Sequence, residues 1–156
     1  MFGSKRDIEK EIEELLDRGL SKKEVRQRLT GQGKREEIDF YLNNISYPED
    51  RRRYFIVNIS LFLLLLVLTL KKLYFALSMG GPSIYMLMAM VVPTVNIWLL
   101  YEIRRFRGIG YKWTAILLTL SLINAENRAW PEIVMIPAII ILSALLYWRM
   151  FLSRKE

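Results

Sequence analysis

The feature that most constrains this chain is an uninterrupted apolar segment in its middle. Residues 54–70 contain no charged side chain, and residues 61–68 are all Leu, Phe or Val. About 20 residues of helix cross the hydrocarbon layer of a bilayer, which places Lys71 and Lys72 where such a helix leaves it. Because lipid offers the backbone no hydrogen bonds, a spanning segment of this length is helical. The sequence therefore predicts a first transmembrane helix at about residues 54–73.

Three further apolar segments follow the first. Residues 84–103 form a second predicted span, preceded by a turn at Gly80 and Pro82 and interrupted by Pro93, and residues 132–152 form the last. The segment between them reaches only about 17 residues when counted from Ile109, which is the lower limit for a span. We predict a third span at residues 109–126, with a re-entrant segment as the alternative. Residues 51–156 are thus expected to form a domain of four transmembrane helices.

Residues 1–50 are polar and carry their apolar side chains at helical spacing. Ser21 and Glu24 form a capping box that begins a second helix, and Pro48 stops a third. These signals predict a small three-helix bundle before the membrane domain. A core of roughly ten apolar residues is marginal for a bundle that stands alone, so we expect this head to dock on another surface. The candidates for docking or for packing within the head are Leu29, Phe40, Tyr41 and Leu42.

Basic residues are distributed unevenly between the two predicted sides of the membrane. With the head inside and four spans, 20 of the 23 Lys and Arg residues lie on the inner side. Basic residues favour cytoplasmic loops, so we expect the N-terminus and the C-terminus to lie in the cytoplasm. Basic side chains at that boundary attract anionic lipid headgroups. The predicted basic rim consists of Arg51, Arg52, Arg53, Arg104, Arg105, Arg107 and Lys112.

Aromatic residues support the same placement, because Trp and Tyr prefer the headgroup level of a bilayer. The outer belt is predicted to contain Tyr74, Tyr85 and Trp130. The predicted inner belt contains Tyr54, Trp98, Tyr101, Tyr111, Trp113, Tyr147 and Trp148.

Composition excludes several kinds of chemistry. The sequence has no Cys and no His, which rules out thiol nucleophiles, imidazole acid/base catalysis and the usual zinc sites. Residues 1–50 carry 10 basic and 12 acidic side chains, so they lack the positive surplus that nucleic-acid binding requires. We expect no enzyme activity, cofactor, metal site or nucleic-acid partner. A lipid-headgroup enzyme with Glu102 as its base is the remaining catalytic alternative.

Three amides fall within the predicted spans, namely Asn58, Asn96 and Asn124. A polar side chain in hydrocarbon needs a partner, so these residues are expected either to join helices or to line a pathway. The sequence favours a non-catalytic interaction, assembly or accessory subunit with a cytoplasmic docking head. Its expected partners are membrane lipids and either other membrane or cytoplasmic subunits or further copies of itself. The alternative is a small homo-oligomeric channel or transporter whose path the three Asn residues line.

Overall fold

In the part of the chain that the structure describes, three helices are long and apolar enough to cross a membrane. They are Phe55–Leu77, Ile84–Arg104 and Glu132–Leu152 in a computed structural model that describes residues 5–30, 35–78, 81 and 83–153. No strand occurs in these ranges, where a single antiparallel bridge pairs Ile45 with Arg107. The predicted all-α class is confirmed, and three of the four predicted spans coincide with helices able to cross a membrane. The turn predicted at Gly80 and Pro82 lies outside the described residues.

Within residues 5–30 and 35–54, four helices precede the first long apolar helix. They are α1 (Lys5–Asp17), α2 (Lys22–Leu29), α3 (Arg35–Asn44) and α4 (Pro48–Arg53). The predicted capping box is present, because the Glu24 amide donates to Ser21 Oγ at 3.3 Å and the Ser21 amide donates to Glu24 Oε2 at 2.8 Å. These bonds hold the pKa of the exposed Glu24 carboxyl below its ordinary value. The box satisfies two amides that would otherwise be free at the start of α2.

The helices α1, α2 and α3 contact one another around a shared apolar cluster. Its side chains recur at helical spacing, so each helix turns one apolar face inward. The buried residues are Ile12, Leu16, Val25, Leu29, Ile38, Leu42 and Ile45. Leu29 and Leu42, which the sequence marked for docking or head packing, therefore belong to the packing of the head.

The remaining chain forms α5 (Phe55–Leu77), α6 (Ile84–Arg104), α7 (Gly108–Ser121) and α8 (Glu132–Tyr147). A π-helical turn, Trp148–Leu152, continues α8. The helices α5 and α7 each contact both α6 and α8, so the four helices surround a common apolar core. We call the end of this core beside the head the inner end and the opposite end the outer end. Large apolar side chains on the outside of the four helices are exposed, as a lipid-facing surface requires.

The helix α7 ends at Ser121, five residues before the predicted end of the third span, and a 3₁₀ turn follows at Ala125–Arg128. The Asn127 side-chain amide donates to the Ser121 carbonyl at 2.7 Å, and Arg128 Nε donates to the Leu122 carbonyl at 3.0 Å. In a continuing helix the backbone amides four residues on would take those carbonyls. Side chains beyond the helix take them instead, so α7 stops while the sequence is still apolar.

The turn between α6 and α7 brings the two helices into close contact. Phe106 has a φ of 54°, in the left-handed region that non-glycine residues rarely adopt. A Cβ atom on Gly110 would lie 2.8 Å from Glu102 Cβ and 2.9 Å from the Ile103 backbone nitrogen. Only glycine allows this approach of α7 to the backbone of α6.

Candidate functional site

A buried polar network joins the four apolar helices at their inner ends. The Tyr111 hydroxyl donates to Asn58 Oδ1 at 2.7 Å, and Asn58 Nδ2 donates to the Ile103 carbonyl at 3.2 Å. Ser143 Oγ donates to the Tyr111 carbonyl at 3.0 Å. The Asn58 side chain thus uses both its donor and its acceptor, which is the arrangement that a buried amide requires. The sequence predicted that Asn58 either joins helices or lines a pathway. In the structure, its side chain joins helices.

Tyr111 occupies a different place from the one predicted. The sequence assigned it to the inner aromatic belt, but its side chain is 0% exposed and lies at the centre of the polar network. Four other members of that predicted belt are exposed, namely Trp98, Tyr101, Trp113 and Trp148. The sequence did not reveal this buried role, because Tyr111 lies next to a basic loop, where aromatic residues of the membrane interface are commonly found. Its hydroxyl needs the buried partner that Asn58 supplies.

A cavity of about 150 Å³ lies between the helices toward their outer ends. Asn96 and Asn124 both line it, whereas Asn58 does not. The three predicted amides therefore divide into one structural contact and two cavity residues. The full lining is Leu68, Lys72, Phe75, Ala89, Val92, Asn96, Leu118, Ser121, Asn124, Asn127 and Ile136. We call this space the outer cavity.

Polar atoms in the outer cavity lack partners within the described part of the chain. Asn96 is 4% exposed, and its Nδ2 atom has no hydrogen-bond partner there. Asn127 donates to the Ser121 carbonyl through Nδ2, but its Oδ1 atom is likewise unpartnered. Nearby, Lys71 Nζ lies 2.5 Å from the buried Glu132 carboxylate. Asn96 Nδ2 and Asn127 Oδ1 are thus an unpartnered donor and an unpartnered acceptor on residues that line the outer cavity.

A second cluster of interacting side chains holds the head against the inner ends of α6 and α7. Glu9 of α1 pairs with Arg105 at 2.7 Å and also pairs with Arg107, whose Nε lies 3.7 Å from Glu102 Oε2. Glu9, Glu102 and Arg107 are buried. Burial lowers the pKa of the Arg107 guanidinium from its ordinary value. We call Glu9, Glu102, Arg105 and Arg107 the inner ion cluster.

Asn44 adds a neutral contact between the head and the membrane helices. Its Oδ1 atom accepts a hydrogen bond of 2.7 Å from the backbone amide of Ile109, in the first turn of α7. Amides in that turn have no partner within the helix, so a side chain from the head can take one. The head, which the sequence predicted to dock on another surface, docks on its own chain.

The predicted basic rim is divided by this docking. Arg107 is buried in the inner ion cluster, Arg105 pairs with Glu9, and Arg51 lies 4.0 Å from Glu13. The rim residues that remain exposed are Arg52, Arg53, Arg104 and Lys112. These four are the ones that remain available to anionic headgroups.

Phe40 is the predicted docking residue with the largest exposed surface. Its side chain is 54% exposed and packs edge-on against the Tyr41 ring at a centroid distance of 5.6 Å. Among the described side chains of the head, Phe40 is the only large apolar one that is exposed. Exposed aromatic side chains are common anchors of protein interfaces.

Acidic residues form no metal site among the described residues, where no group of three or more Asp, Glu, His or Cys side chains converges. Glu102, the candidate base, faces Arg107, whose Nε atom lies 3.7 Å from Glu102 Oε2. The residues that sequence reasoning missed are Glu9, Asn44, Tyr111, Asn127 and Ser143. Each acts on a partner distant in the chain or beyond a helix end, which spacing along one helix does not reveal.

The chain matches no protein-family model, no curated protein and no solved structure.

Proposed function

We propose that this chain is a non-catalytic, four-span membrane protein that works by association with another protein, with its three-helix head in the cytoplasm. The observation that carries the proposal is the inner ion cluster, which attaches the head to α6 and α7 through buried charges. A head held in this way presents its exposed face, including Phe40, in one orientation relative to the membrane. Such a surface suits an assembly or accessory subunit.

The direction of the helices supports four crossings. Asn58, Ile103, Tyr111 and Ser143 meet at the inner end, while Leu68, Asn96, Leu118 and Ile136 line the cavity nearer the outer end. Successive helices therefore run in opposite directions. The chain leaves α6 at the inner end and enters α8 at the outer end, so the segment between them has to return across the layer. This favours a crossing by α7 over the re-entrant alternative.

Orientation follows from the basic residues. The exposed rim residues Arg52, Arg53, Arg104 and Lys112 lie beside the head, and each contributes up to about 1 kcal/mol near an anionic cytoplasmic leaflet. The basic residues at the outer end are Lys71, Lys72 and Arg128, and Lys71 pairs there with the Glu132 carboxylate. Membrane lipids are accordingly proposed partners of the rim.

The topology is testable by cysteine labelling. The sequence contains no Cys, so a single introduced cysteine is the only thiol that a maleimide can label. We expect a membrane-impermeant maleimide to label exposed Ser78→Cys and Ala129→Cys in intact cells. Asn43→Cys and Ser153→Cys should be labelled only after the membrane is opened. Labelling of position 43 but not position 153 in intact cells would show an odd number of crossings and remove α7 as a span. Labelling of both would reverse the orientation.

Association through Phe40 can be tested by photo-crosslinking in the native membrane. With a crosslinking amino acid at the exposed position of Glu36 or Asn43, on either side of Phe40, we expect one discrete protein adduct. Phe40→Ala in the same chains should reduce that adduct about tenfold, because truncating an aromatic anchor of an interface commonly costs more than about 1 kcal/mol. Glu11→Ala, on the exposed surface of α1, serves as the matched control.

The crosslinked species distinguishes the possible occupants of this face. A second copy of this chain would make the association homo-oligomeric. Adducts to lipid alone, or a protein adduct that Phe40→Ala leaves unchanged, would contradict the proposal that Phe40 anchors a protein partner.

A channel or transporter is the second candidate, and it rests on Asn96 and Asn124 lining one cavity. Asn58, the third predicted path residue, is bonded to Tyr111 and to the Ile103 carbonyl, away from that cavity. Solute or ion flux through proteoliposomes that contain the purified chain, abolished by Asn124→Leu, would make transport the leading function. We expect no such flux from an association protein.

A further inference from the structure

The outer cavity has a buried floor and an apolar opening. Leu68, Leu118 and Ile136 form buried parts of its wall. Phe75 and Val92, on the neighbouring helices α5 and α6, are 49% and 48% exposed. Both residues lie on membrane-spanning helices, so this opening faces lipid. A molecule dissolved in the bilayer can therefore reach the cavity without passing through water.

Asn96 gives this cavity a chemical preference. Its side chain is buried in the wall of the cavity, and its unpartnered Nδ2 atom is a hydrogen-bond donor. A buried donor without a partner costs free energy, which an acceptor atom in the cavity would recover. Lys72 lines the same space. An occupant with an oxygen acceptor, and preferably a negative charge, suits these two groups.

The size of the cavity limits the occupant. Its 150 Å³ corresponds to about five water molecules at roughly 30 Å³ each. A whole lipid does not fit, but the oxygen-bearing end of one does. Its hydrocarbon chain would leave past Phe75 and Val92 into the bilayer.

We propose that the outer cavity binds the oxyanion end of an acyl amphiphile, with an oxygen accepting a hydrogen bond from Asn96 Nδ2 and the negative charge directed toward Lys72. A fatty-acid carboxylate and a phospholipid phosphate share this chemistry. This proposal does not depend on the association function of the head, because the two sites lie at opposite ends of the helices.

The test uses the purified full chain in neutral detergent and a fatty acid that carries a photoreactive group on its tail. We expect saturable labelling, with adducts on the peptides that contain residues 68–75 and 89–96. Asn96→Leu should weaken binding about tenfold, as loss of a hydrogen bond to a charged group predicts. Thr94→Val removes an exposed polar group from the same helix and should leave labelling unchanged.

Thermal unfolding without ligand separates a lost site from a lost fold. Leucine has the same branched side-chain skeleton as asparagine and needs no hydrogen bond, and its extra volume can enter the adjoining cavity, so Asn96→Leu should be at least as stable as the natural chain. Unlabelled oleate and dioleoylphosphatidylglycerol should compete with the probe, and the stronger competitor identifies the source of the oxyanion. Oleyl alcohol should compete poorly. Equal competition by the alcohol, or equal labelling of Asn96→Leu, would overturn the proposal.

Discussion

Replacing Arg107 with leucine is expected to loosen the head from the membrane helices and to destabilise the folded chain by about 3–5 kcal/mol. Arg107 is the one member of the inner ion cluster that contacts both carboxylates, Glu9 and Glu102. Removing one partner of a buried ion pair leaves the other charge desolvated and uncompensated. Arg105 still pairs with Glu9 in the variant and its charge still acts on Glu102, so we expect the cost to lie at the lower end of this range.

Hydrogen exchange of α1 and thermal unfolding in detergent would measure this effect. Arg104→Leu is the matched control, because Arg104 is an exposed arginine three residues away and its loss should change stability by less than about 0.5 kcal/mol. Adding Glu102→Gln to Arg107→Leu should restore part of the loss by removing the buried charge. If Arg107→Leu behaves like Arg104→Leu, the inner ion cluster does not hold the head.

Gly110→Ala is expected to destabilise the packing of α7 on α6 by about 3 kcal/mol, at the upper end of the range for overpacked cores. The added Cβ would meet the Ile103 backbone nitrogen at 2.9 Å, and backbone atoms within a helix have little freedom to move aside. Separation of the two helices would also stretch the hydrogen bond from Tyr111 to Asn58, one residue beyond the clash.

Gly108→Ala provides the control within the same helix. Its added Cβ would meet the Phe151 ring at 3.1 Å, a side chain that can rotate away. Alanine also favours helix over glycine by up to about 1 kcal/mol, so this variant should be near neutral. Thermal unfolding in detergent compares the two. If both variants changed the thermal stability equally, the contact between α7 and α6 at Gly110 would be looser than its geometry indicates.

Features that depend on local pattern were predictable from the sequence. Three long apolar segments gave three helices able to cross a membrane, because composition alone determines whether a segment suits lipid. The capping box at Ser21 and Glu24 was predictable because its two residues lie within one helical turn. The end of α7 was not, because Asn127 and Arg128 reach back six residues to take its carbonyls.

The candidate sites show the same limit. Asn58, Asn96 and Asn124 look alike in the sequence, yet one is fully bonded and the others line a cavity. Glu9 lies 96 residues before Arg105, its partner in the folded chain. Tertiary packing decides which polar groups meet, and no periodicity along a single helix records it.

The shortness of α7 has a consequence for the membrane around it. Its 14 residues measure about 21 Å, against about 31 Å for the 21 residues of α6. Asn124 and Asn127 accordingly share the outer cavity with Asn96, well below the level at which α6 begins. Lipids beside this turn have to shorten or tilt to avoid its polar groups, and such hydrophobic mismatch sorts proteins by bilayer thickness. If α7 crosses the membrane as proposed, we expect this protein to favour thin membranes over thick, sterol-rich ones.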